Sequence, residues 1–289
     1  MVNEYLRLLR ISHWIKNLFV FVPIMFSQHL FDWLYLNDVL LAFVTFSLTS
    51  SMVYVFNDLI DVEFDRQHPV KKNRPLAKGS IKPFHAKITL IVLYALIVIF
   101  LTRLNWEFTY ALAGYILINF LYTVKLKNII IVDLFCIASG FMLRVLAGAF
   151  VADIYVSNWL ILTTIFLALF LAIMKRRSEF ITYEGDNSTR IVLKDYSERF
   201  IDQISAISAG GLIICYALYS VSDRTILEFG TNYFVFTTLF VVFGIFRYMF
   251  LVINKSKGEN PTEIMLTDFP MIINSALYIF VIIAIIYFF

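Results

Sequence analysis

Charged residues are scarce in this chain of 289 amino acids, and their scarcity excludes an ordinary soluble domain. Asp, Glu, Lys and Arg together make up 16% of the sequence, whereas hydrophobic residues make up 60%. A soluble domain typically carries about 25% charged residues. Long apolar runs recur from one end of the sequence to the other, so the pattern predicts a polytopic membrane protein rather than a soluble domain with an anchor.

The sequence also lacks a thiol or imidazole motif for a metal. The two cysteines, Cys136 and Cys215, lie in separate apolar segments, and we interpret both as packed thiols. The four histidines are scattered without metal-ligand spacing. We expect no cleavable signal peptide, because the first apolar run is too long for the hydrophobic core of one.

Nine apolar runs are each close to the twenty or so residues that a helix needs to cross a bilayer. Backbone groups in lipid must be satisfied within the segment, and the apolar positions do not alternate as in barrel strands, so we predict an all-α bundle. The first span contains Pro23 and a polar stretch at 27–29, and we expect it to be kinked or partly re-entrant. The predicted spans are 17–36, 38–56, 84–103, 107–124, 129–150, 157–174, 201–222, 231–253 and 268–289.

The connections between these spans differ in charge. Those after spans two, four, six and eight are rich in Lys and Arg, whereas the others are short and nearly free of both. Because basic loops stay on the cytoplasmic side, we predict a cytoplasmic N-terminus and an outside C-terminus. The sequence therefore predicts one transmembrane domain over residues 1–289, multi-pass in the inner (plasma) membrane, with its charged motifs at a cytoplasmic-side cavity.

An acidic box, residues 57–65 with the sequence Asn-Asp-Leu-Ile-Asp-Val-Glu-Phe-Asp, ends the second span. Asn57, Asp61 and Asp65 are spaced by four and would share one helix face, where like charges repel. Mg²⁺ removes that repulsion, and it usually binds through one or two carboxylates plus substrate phosphates. The alternative is a solvated acidic turn that ends a helix. We predict a Mg²⁺ site formed by Asn57, Asp58, Asp61 and Asp65.

A basic loop, which contains Arg66, Lys71 and Arg74, follows the acidic box. Cationic side chains beside a carboxylate–Mg²⁺ site suit a polyphosphate substrate, because the metal bridges some oxygens and the bases neutralise the rest. The alternative is positive charge that serves topology or contacts anionic lipids.

Later spans contain further charged side chains. Arg144 lies eleven residues after Asp133, well inside the hydrocarbon, where an ionisable residue is a functional-site hypothesis. The alternative is a structural pair with an acid or with backbone carbonyls. The run 175–179 (Lys-Arg-Arg-Ser-Glu) at the end of span six could hold a phosphate or serve only as a stop-transfer cluster. Arg247 in span eight could instead snorkel toward water.

The acidic box resembles that of the UbiA superfamily of intramembrane prenyltransferases. Its place after span two and the nine predicted spans also match. The resemblance implies a nine-helix bundle with a lipid-accessible cavity, in which the box binds Mg²⁺ and a diphosphate. The superfamily's aromatic prenyltransferases usually carry a second aspartate-rich box after span six, where this chain has residues 175–180 and no aspartate pair.

Along most of its length the chain is similar to one branch of that superfamily, the decaprenyl-phosphate phosphoribosyltransferases. The branch implies transfer of a 5-phosphoribosyl group from phosphoribosyl diphosphate to a polyprenyl phosphate, with release of pyrophosphate. The matching positions are 14–17, 57–75, 79, 126–127, 133, 138–141, 143–144, 175–176, 179, 247–248, 261, 263 and 268.

This resemblance assigns roles to the candidate residues. Asp58, Asp61, Lys71 and Arg74 form the catalytic set, which holds Mg²⁺ and stabilises the leaving pyrophosphate. The isoprenoid tail is expected to lie in the apolar, Phe-rich bundle and to leave laterally into lipid, the bilayer is a partner, and no nucleic acid is expected. Acceptor chain length and oligomeric state are not defined by the sequence. The predicted substrate-binding residues are Lys16, Asn17, Arg66, Lys127, Asp133, Arg144, Lys175, Arg176, Glu179 and Arg247.

Two other functions stay open at this point. A prenyltransferase that moves a prenyl group from its diphosphate to an aromatic or other acceptor requires a second acidic cluster, for which only Glu179, Glu184 and Asp186 are weak candidates. A transporter could bind an anion or a lipid phosphate at Arg144 and Arg247. It would be expected to show inverted repeats with broken helices, and the sequence has no convincing half-to-half repeat.

Overall fold

The computed structural model describes residues 2–67, 71–182, 196–255, 264 and 266–288, and all regular structure in these residues is helical. Three 3₁₀ segments, one long (Ile11–Phe21) and two short (Lys71–Asn73 and Leu126–Asn128), connect or precede α-helices. The α-helices are α1 (Val2–Leu8), α2 (Val22–Met25), α3 (Trp33–Ile60), α4 (Val62–Gln67), α5 (Pro75–Lys78), α6 (Pro83–Leu101), α7 (Trp106–Val124), α8 (Val132–Val151), α9 (Asn158–Thr182), α10 (Glu198–Ser220), α11 (Asp223–Phe229), α12 (Phe234–Lys255) and α13 (Phe269–Phe288).

Seven of these helices are long and apolar enough to cross a membrane, which makes the chain a multi-pass membrane protein. They are α3, α6, α8, α9, α10, α12 and α13. The segments Val2–Leu8 and Ile11–Met25, bent by 48° relative to each other, would make an eighth span. Helix α7 is 19 residues long but is not among them, because it carries polar side chains such as Glu107 and Asn119. The predicted count of nine spans therefore stays a prediction.

The first apolar run differs from the predicted span 17–36. The 3₁₀ segment passes into the short helix α2, whose first turn contains Pro23. Gln28 has a left-handed backbone (φ 63°), and the side chain of Asp32 caps a new helix, α3. The predicted bounds 17–36 were therefore wrong, because α2 ends at Met25 and α3 begins at Trp33, whereas the irregularity expected from Pro23 and 27–29 is confirmed. Proline and an N-cap residue interrupt the helical hydrogen bonds that a continuous span requires.

The spacing of the acidic box predicted one uninterrupted helix. The structure instead interrupts the helix at Asp61. Helix α3 ends directly before Asp61, which has φ −89° and ψ 6°, and α4 begins directly after it. Helical hydrogen bonds still cross the junction, from Asp61 N–H to the Asn57 carbonyl (2.9 Å) and from Asp65 N–H to the Asp61 carbonyl (2.8 Å). The junction therefore bends the helix at Asp61 while keeping the box in helical register.

Two compact units can be distinguished in the chain. The first comprises residues 1–125 and 143–155, and the second comprises 126–142 and 156–289, so α8 contributes to both. In the first unit, α3 packs against α6, α7 and the N-terminal 3₁₀ segment. In the second unit, α9 packs against α10, and α12 against α13. The single domain over 1–289 stays a prediction.

Candidate active site

Two carboxylates of the acidic box come together in the first unit. Asp58 near the end of α3 is 2% exposed, and Asp65 in α4 is 3% exposed. Arg74 contacts both, since its Nη1 lies 3.1 Å from Asp58 Oδ1 and 2.6 Å from Asp65 Oδ2. Pro75 begins α5 directly after Arg74. The basic loop therefore returns to the acidic box and presents a cation between its two buried acids.

Arg10 also contacts Asp58, and sequence reasoning missed it. Its Nη2 lies 2.6 Å from Asp58 Oδ1, and its guanidinium lies over the Tyr54 ring at 4.4 Å from the centroid. The backbone of Arg10 is left-handed (φ 50°, ψ 49°), which is uncommon for a residue other than glycine. The sequence showed only a basic residue ahead of the first span, with nothing to connect it to an acid 48 positions later.

The remaining catalytic candidates have different surroundings. Asp61 and Lys71 are half-buried, and both engage other groups. Arg66 is exposed and pairs with the exposed Glu63 at 2.8 Å. The structure therefore does not bring Arg66 to the buried acids, although the sequence assigned it to substrate.

The oxygen donors of this cluster fit a Mg²⁺ ion of the kind that a phosphate substrate helps to bind. Among the described residues no three Asp, Glu, His or Cys side chains form a metal-binding group. Two carboxylates suffice when substrate phosphates and water supply the other ligands. The Arg74 guanidinium lies between Asp58 and Asp65 and marks the position where this site already accommodates positive charge.

Arg144 belongs to a buried polar network in the same unit. Its Nε donates to Asn17 Oδ1 at 2.8 Å and its Nη2 donates to the Tyr115 hydroxyl at 3.1 Å. Asn17 in turn donates to the hydroxyls of Ser47 (3.0 Å) and Ser50 (3.2 Å) on α3. Two predicted substrate-binding residues, Asn17 and Arg144, are thus joined directly although they are 127 positions apart.

Lys16 connects this network electrostatically to the acidic box. It is half-buried and lies within interaction range of both Arg10 and Arg144. Like charges at this depth repel strongly because little water screens them. A bound anion relieves that repulsion, so Arg10, Lys16 and Arg144 form a cation cluster suited to phosphate.

An apolar cavity of about 380 Å³ adjoins the acidic box. It lies between α3, α6 and α7, and its lining includes Phe56, Tyr94 and Phe120 together with Asn57. Asn57 Oδ1 accepts a hydrogen bond from the Thr123 hydroxyl at 2.9 Å. The cavity therefore offers hydrocarbon surface beside one polar residue of the box.

A second charged cluster lies in the second unit. Arg176 is 2% exposed, its Nε lies 2.7 Å from Asp133 Oδ2, and its Nη1 contacts Glu179. Lys175 Nζ lies 3.8 Å from Glu179 Oε1. The structure thus brings four predicted substrate-binding residues together, and two carboxylates hold Arg176.

Tyr196 completes the second cluster, and the sequence did not identify it as a site residue. Its hydroxyl accepts a hydrogen bond from Ile131 N–H at 3.0 Å and lies 3.5 Å from Asp133 Oδ1. Ile131 has φ 68°, a strained value for a β-branched residue. Burial, helped by the nearby Asp133 carboxylate, raises the pKa of the Tyr196 hydroxyl, although the Ile131 N–H opposes the rise. The hydroxyl therefore stays protonated at neutral pH.

Two further predicted residues belong to the second unit. Arg247 forms a bidentate salt bridge with Asp268, with distances of 3.1 Å from Nε to Oδ1 and 2.9 Å from Nη2 to Oδ2. Lys127 is half-buried in the 3₁₀ segment Leu126–Asn128. Glu184 and Asp186, candidates for a second acidic cluster, lie outside the described residues, as do the matching positions 261 and 263.

Comparison with known proteins gives consistent matches over most of the chain. The model of the UbiA prenyltransferase family matches residues 18–275. The chain is 31% identical over 279 residues to the decaprenyl-phosphate phosphoribosyltransferase of Mycolicibacterium smegmatis, covering 93% of this chain and 87% of that protein. It is 28% identical over 293 residues to the protein of the same name from Corynebacterium glutamicum, covering 99% and 88%.

Solved structures give a match of the fold. A UbiA homolog from Archaeoglobus fulgidus bound to GPP and Mg²⁺ has a TM-score of 0.70 at 22% identity, covering 98% of this chain and 99% of that one. The same homolog bound to Cd²⁺ has a TM-score of 0.67 at 21% identity, covering 98% and 99%.

Proposed function

The chain belongs to the UbiA prenyltransferase family, and we propose that it transfers a 5-phosphoribosyl group from phosphoribosyl diphosphate to a polyprenyl phosphate, with release of pyrophosphate. The resemblance that its acidic box predicted, and its assignment as a membrane-embedded transferase, are confirmed. The phosphoribosyltransferase names of relatives at 28–31% identity support the choice of reaction. The observation that carries it is the buried Asp58–Arg74–Asp65 group beside the cation cluster in one unit.

The acidic box and the basic loop act on the donor in this proposal. Asp58 and Asp65 would hold a Mg²⁺ ion, and Asn57 and Asp61 are the further oxygen donors that the sequence predicts; when bound, the ion would supply Lewis-acid stabilisation of the leaving diphosphate. The divalent ions in the solved homologs support a metal of this class. Arg74 and Lys71 neutralise the diphosphate oxygens as the bond to the sugar breaks and negative charge grows on them.

The acceptor needs little activation in this scheme. An oxygen of the polyprenyl phosphate forms a bond to the anomeric carbon of the ribose while the bond to pyrophosphate breaks. Because that oxygen is already anionic, no side chain has to remove a proton. The cluster of Lys16, Asn17 and Arg144 binds a second phosphate group, and the hydrogen bonds to Asn17 and Tyr115 hold the guanidinium of Arg144 in orientation.

The proposal extends to the site's place in the membrane. The basic connections support a cytoplasmic active site, a cytoplasmic N-terminus and an outside C-terminus in the inner membrane. The isoprenoid tail of the acceptor lies in apolar surroundings, for which the cavity beside Asn57 offers one surface.

A transfer assay tests this function directly. Purified protein in detergent receives labelled phosphoribosyl diphosphate, a polyprenyl phosphate and Mg²⁺, and label is counted in the extracted lipid. We expect label in the lipid, which EDTA removes, and a loss of roughly a hundredfold or more in Asp58→Asn, because one metal-binding charge disappears. Asp153→Asn is the matched control, since Asp153 is exposed and its left-handed backbone (φ 51°) accepts asparagine.

The assay also separates the two branches of the family. Absence of label with acceptors of several chain lengths, together with prenyl transfer from a prenyl diphosphate to an aromatic acceptor, would place the chain among the prenyl-transferring members. Near-normal turnover in Asp58→Asn would remove the metal-binding role of the box.

A further inference from the structure

We propose that Arg10 binds the donor diphosphate, and that it exchanges its contact with Asp58 for a phosphate oxygen when the metal-bound diphosphate enters. This inference rests on the proposed function of the acidic box. Arg10 is one of two arginines on the same carboxylate oxygen, with Nη2 at 2.6 Å from Asp58 Oδ1 and Arg74 Nη1 at 3.1 Å.

The balance of charge around Asp58 determines which ligand can replace its contact with Arg10. Two carboxylates, Asp58 and Asp65, face two guanidinium groups, Arg10 and Arg74, so the group is balanced without a ligand. A divalent cation on the same oxygens must displace the arginines and leaves excess positive charge. A diphosphate brings that charge back into balance and supplies new acceptors for both guanidinium groups. Metal alone therefore competes with Arg10 for Asp58. When a diphosphate accompanies the metal, Arg10 can bind a diphosphate oxygen instead.

Arg10 is held in position rather than extended freely into solvent. The carbonyl of Leu9 accepts a hydrogen bond from the Ser51 hydroxyl on α3 at 2.7 Å. The carbonyl of Arg10 itself accepts from His13 N–H at 2.8 Å, and the guanidinium lies over the Tyr54 ring. These contacts maintain a left-handed backbone that costs energy in a residue with a side chain. The strain is consistent with a side chain that must point at the box.

The surroundings of Arg10 favour an anion over a purely structural ion pair. Its side chain is 19% exposed, whereas that of Asp58 is 2% exposed, so Arg10 is more accessible than the acid that it contacts. Lys16 lies within electrostatic range of Arg10 and adds a positive charge beyond the two balanced pairs of the box. A phosphate oxygen at this position would meet Arg10 and Arg74, which now share one oxygen of Asp58.

The test compares metal binding with diphosphate binding in Arg10→Gln. The probes are Mg²⁺ alone and inorganic pyrophosphate with Mg²⁺, each titrated against detergent-purified protein by calorimetry. We expect Arg10→Gln to bind Mg²⁺ alone several-fold more tightly, because a competing cation is gone, and to bind Mg²⁺-pyrophosphate roughly ten- to a hundredfold more weakly. An arginine that only stabilises the fold would not move the two affinities in opposite directions.

Two companion variants complete the design. Arg103→Gln is the matched control, because Arg103 is an exposed arginine just after α6. It should leave both affinities unchanged. Arg10→Lys retains the charge but lacks the planar guanidinium group with its paired N–H donors, and it should bind pyrophosphate with intermediate affinity. If Arg10→Gln fails to fold, the lysine variant carries the test alone, and wild-type pyrophosphate affinity in it would overturn the inference.

The outcomes separate this inference from the proposed function. Pyrophosphate affinity in Arg10→Gln within about twofold of wild type would contradict the role of Arg10, even if phosphoribosyl transfer succeeds. Opposite shifts in the two affinities would support Arg10, even if label from phosphoribosyl diphosphate never reaches lipid, in which case only the choice of donor would be wrong.

Discussion

At the scale of single residues, the structure distinguishes acids and bases that look alike in the sequence. Asp58 and Asp65 are buried and share Arg74, whereas Glu63, within the same box, lies at the surface with Arg66. Burial strengthens the interactions of the first group, while water screens the exposed pair so that it contributes little. We therefore place metal and diphosphate at the buried acids.

Arg144→Lys tests whether the planar guanidinium inside the membrane has a binding role. Lysine keeps the charge but cannot donate to Asn17 and Tyr115 in the same geometry. We expect turnover to fall by roughly ten- to a hundredfold with the fold retained. Label transfer and thermal stability in detergent are the measurements.

The control for that variant is Arg224→Lys, because Arg224 is 54% exposed on α11 and pairs with Glu228 at 4.0 Å. Its transfer rate should equal that of wild type. A rate in Arg144→Lys that matches the control would assign Arg144 to structure alone.

At the scale of helices and turns, close packing and strained connections decide where the charged groups lie. Small residues allow membrane helices to approach closely. Gly148 on α8 is such a position, since a Cβ there would overlap the carbonyl oxygen of Val20. In the second unit, Tyr196 precedes α10 and bonds to Ile131 ahead of α8, so one hydroxyl supports both a strained turn and Asp133.

Tyr196→Phe tests this connection between elements. The substitution keeps the ring but removes the acceptor of the Ile131 N–H, which should lower the free energy of unfolding by about 0.5–1.5 kcal/mol. Stability is measured by denaturant titration in detergent. Ile131→Gly in the same background relieves the left-handed strain and should recover part of the loss.

The stability that the Tyr196 hydroxyl contributes depends on pH in a defined direction. Because folding raises the pKa of the Tyr196 hydroxyl, its contribution is fully present below the ordinary pKa of tyrosine, about 10, and is lost as pH rises above it. The stability difference between wild type and Tyr196→Phe should therefore be constant between about pH 7 and 9. Tyr110→Phe, at a position 71% exposed, is the control and should change nothing.

At the scale of the whole molecule, the number of spans determines the side on which the C-terminus lies. Seven helices pass the length and apolarity requirements, and the bent N-terminal pair would make eight. Nine spans result only if α7 also crosses the bilayer. Its 19 residues are sufficient in length, and its polar side chains can be accommodated when they face other helices.

A reporter fused after Phe289 tests whether the number of spans is odd or even, because an odd number places the two termini on opposite sides of the membrane. Nine spans with a cytoplasmic N-terminus place the reporter outside, so a phosphatase that is active only there should be active. A second fusion within the basic connection after α9 should be inactive. Activity of the connection fusion, or a cytoplasmic C-terminal reporter, would contradict the predicted topology.

The helices were largely predictable from local sequence. Long apolar runs become helices because lipid offers no partner for backbone N–H and C=O groups, so each segment must bond within itself. Predicted span 84–103 accordingly differs from α6 (Pro83–Leu101) by only one or two residues at its ends. The sequence predicts metal and phosphate at the box because clustered carboxylates repel one another without a cation, and the bases that follow them suit an anionic substrate.

Tertiary structure alone decided which charges meet. Arg10 reaches Asp58 across 48 positions, Arg176 reaches Asp133 across 43, and Arg144 reaches Asn17 across 127. Helix formation depends on neighbouring residues and on the solvent, which the sequence specifies. Ion pairing depends on the packing of distant helices and on breaks such as the one at Asp61, and neither is encoded in any single segment.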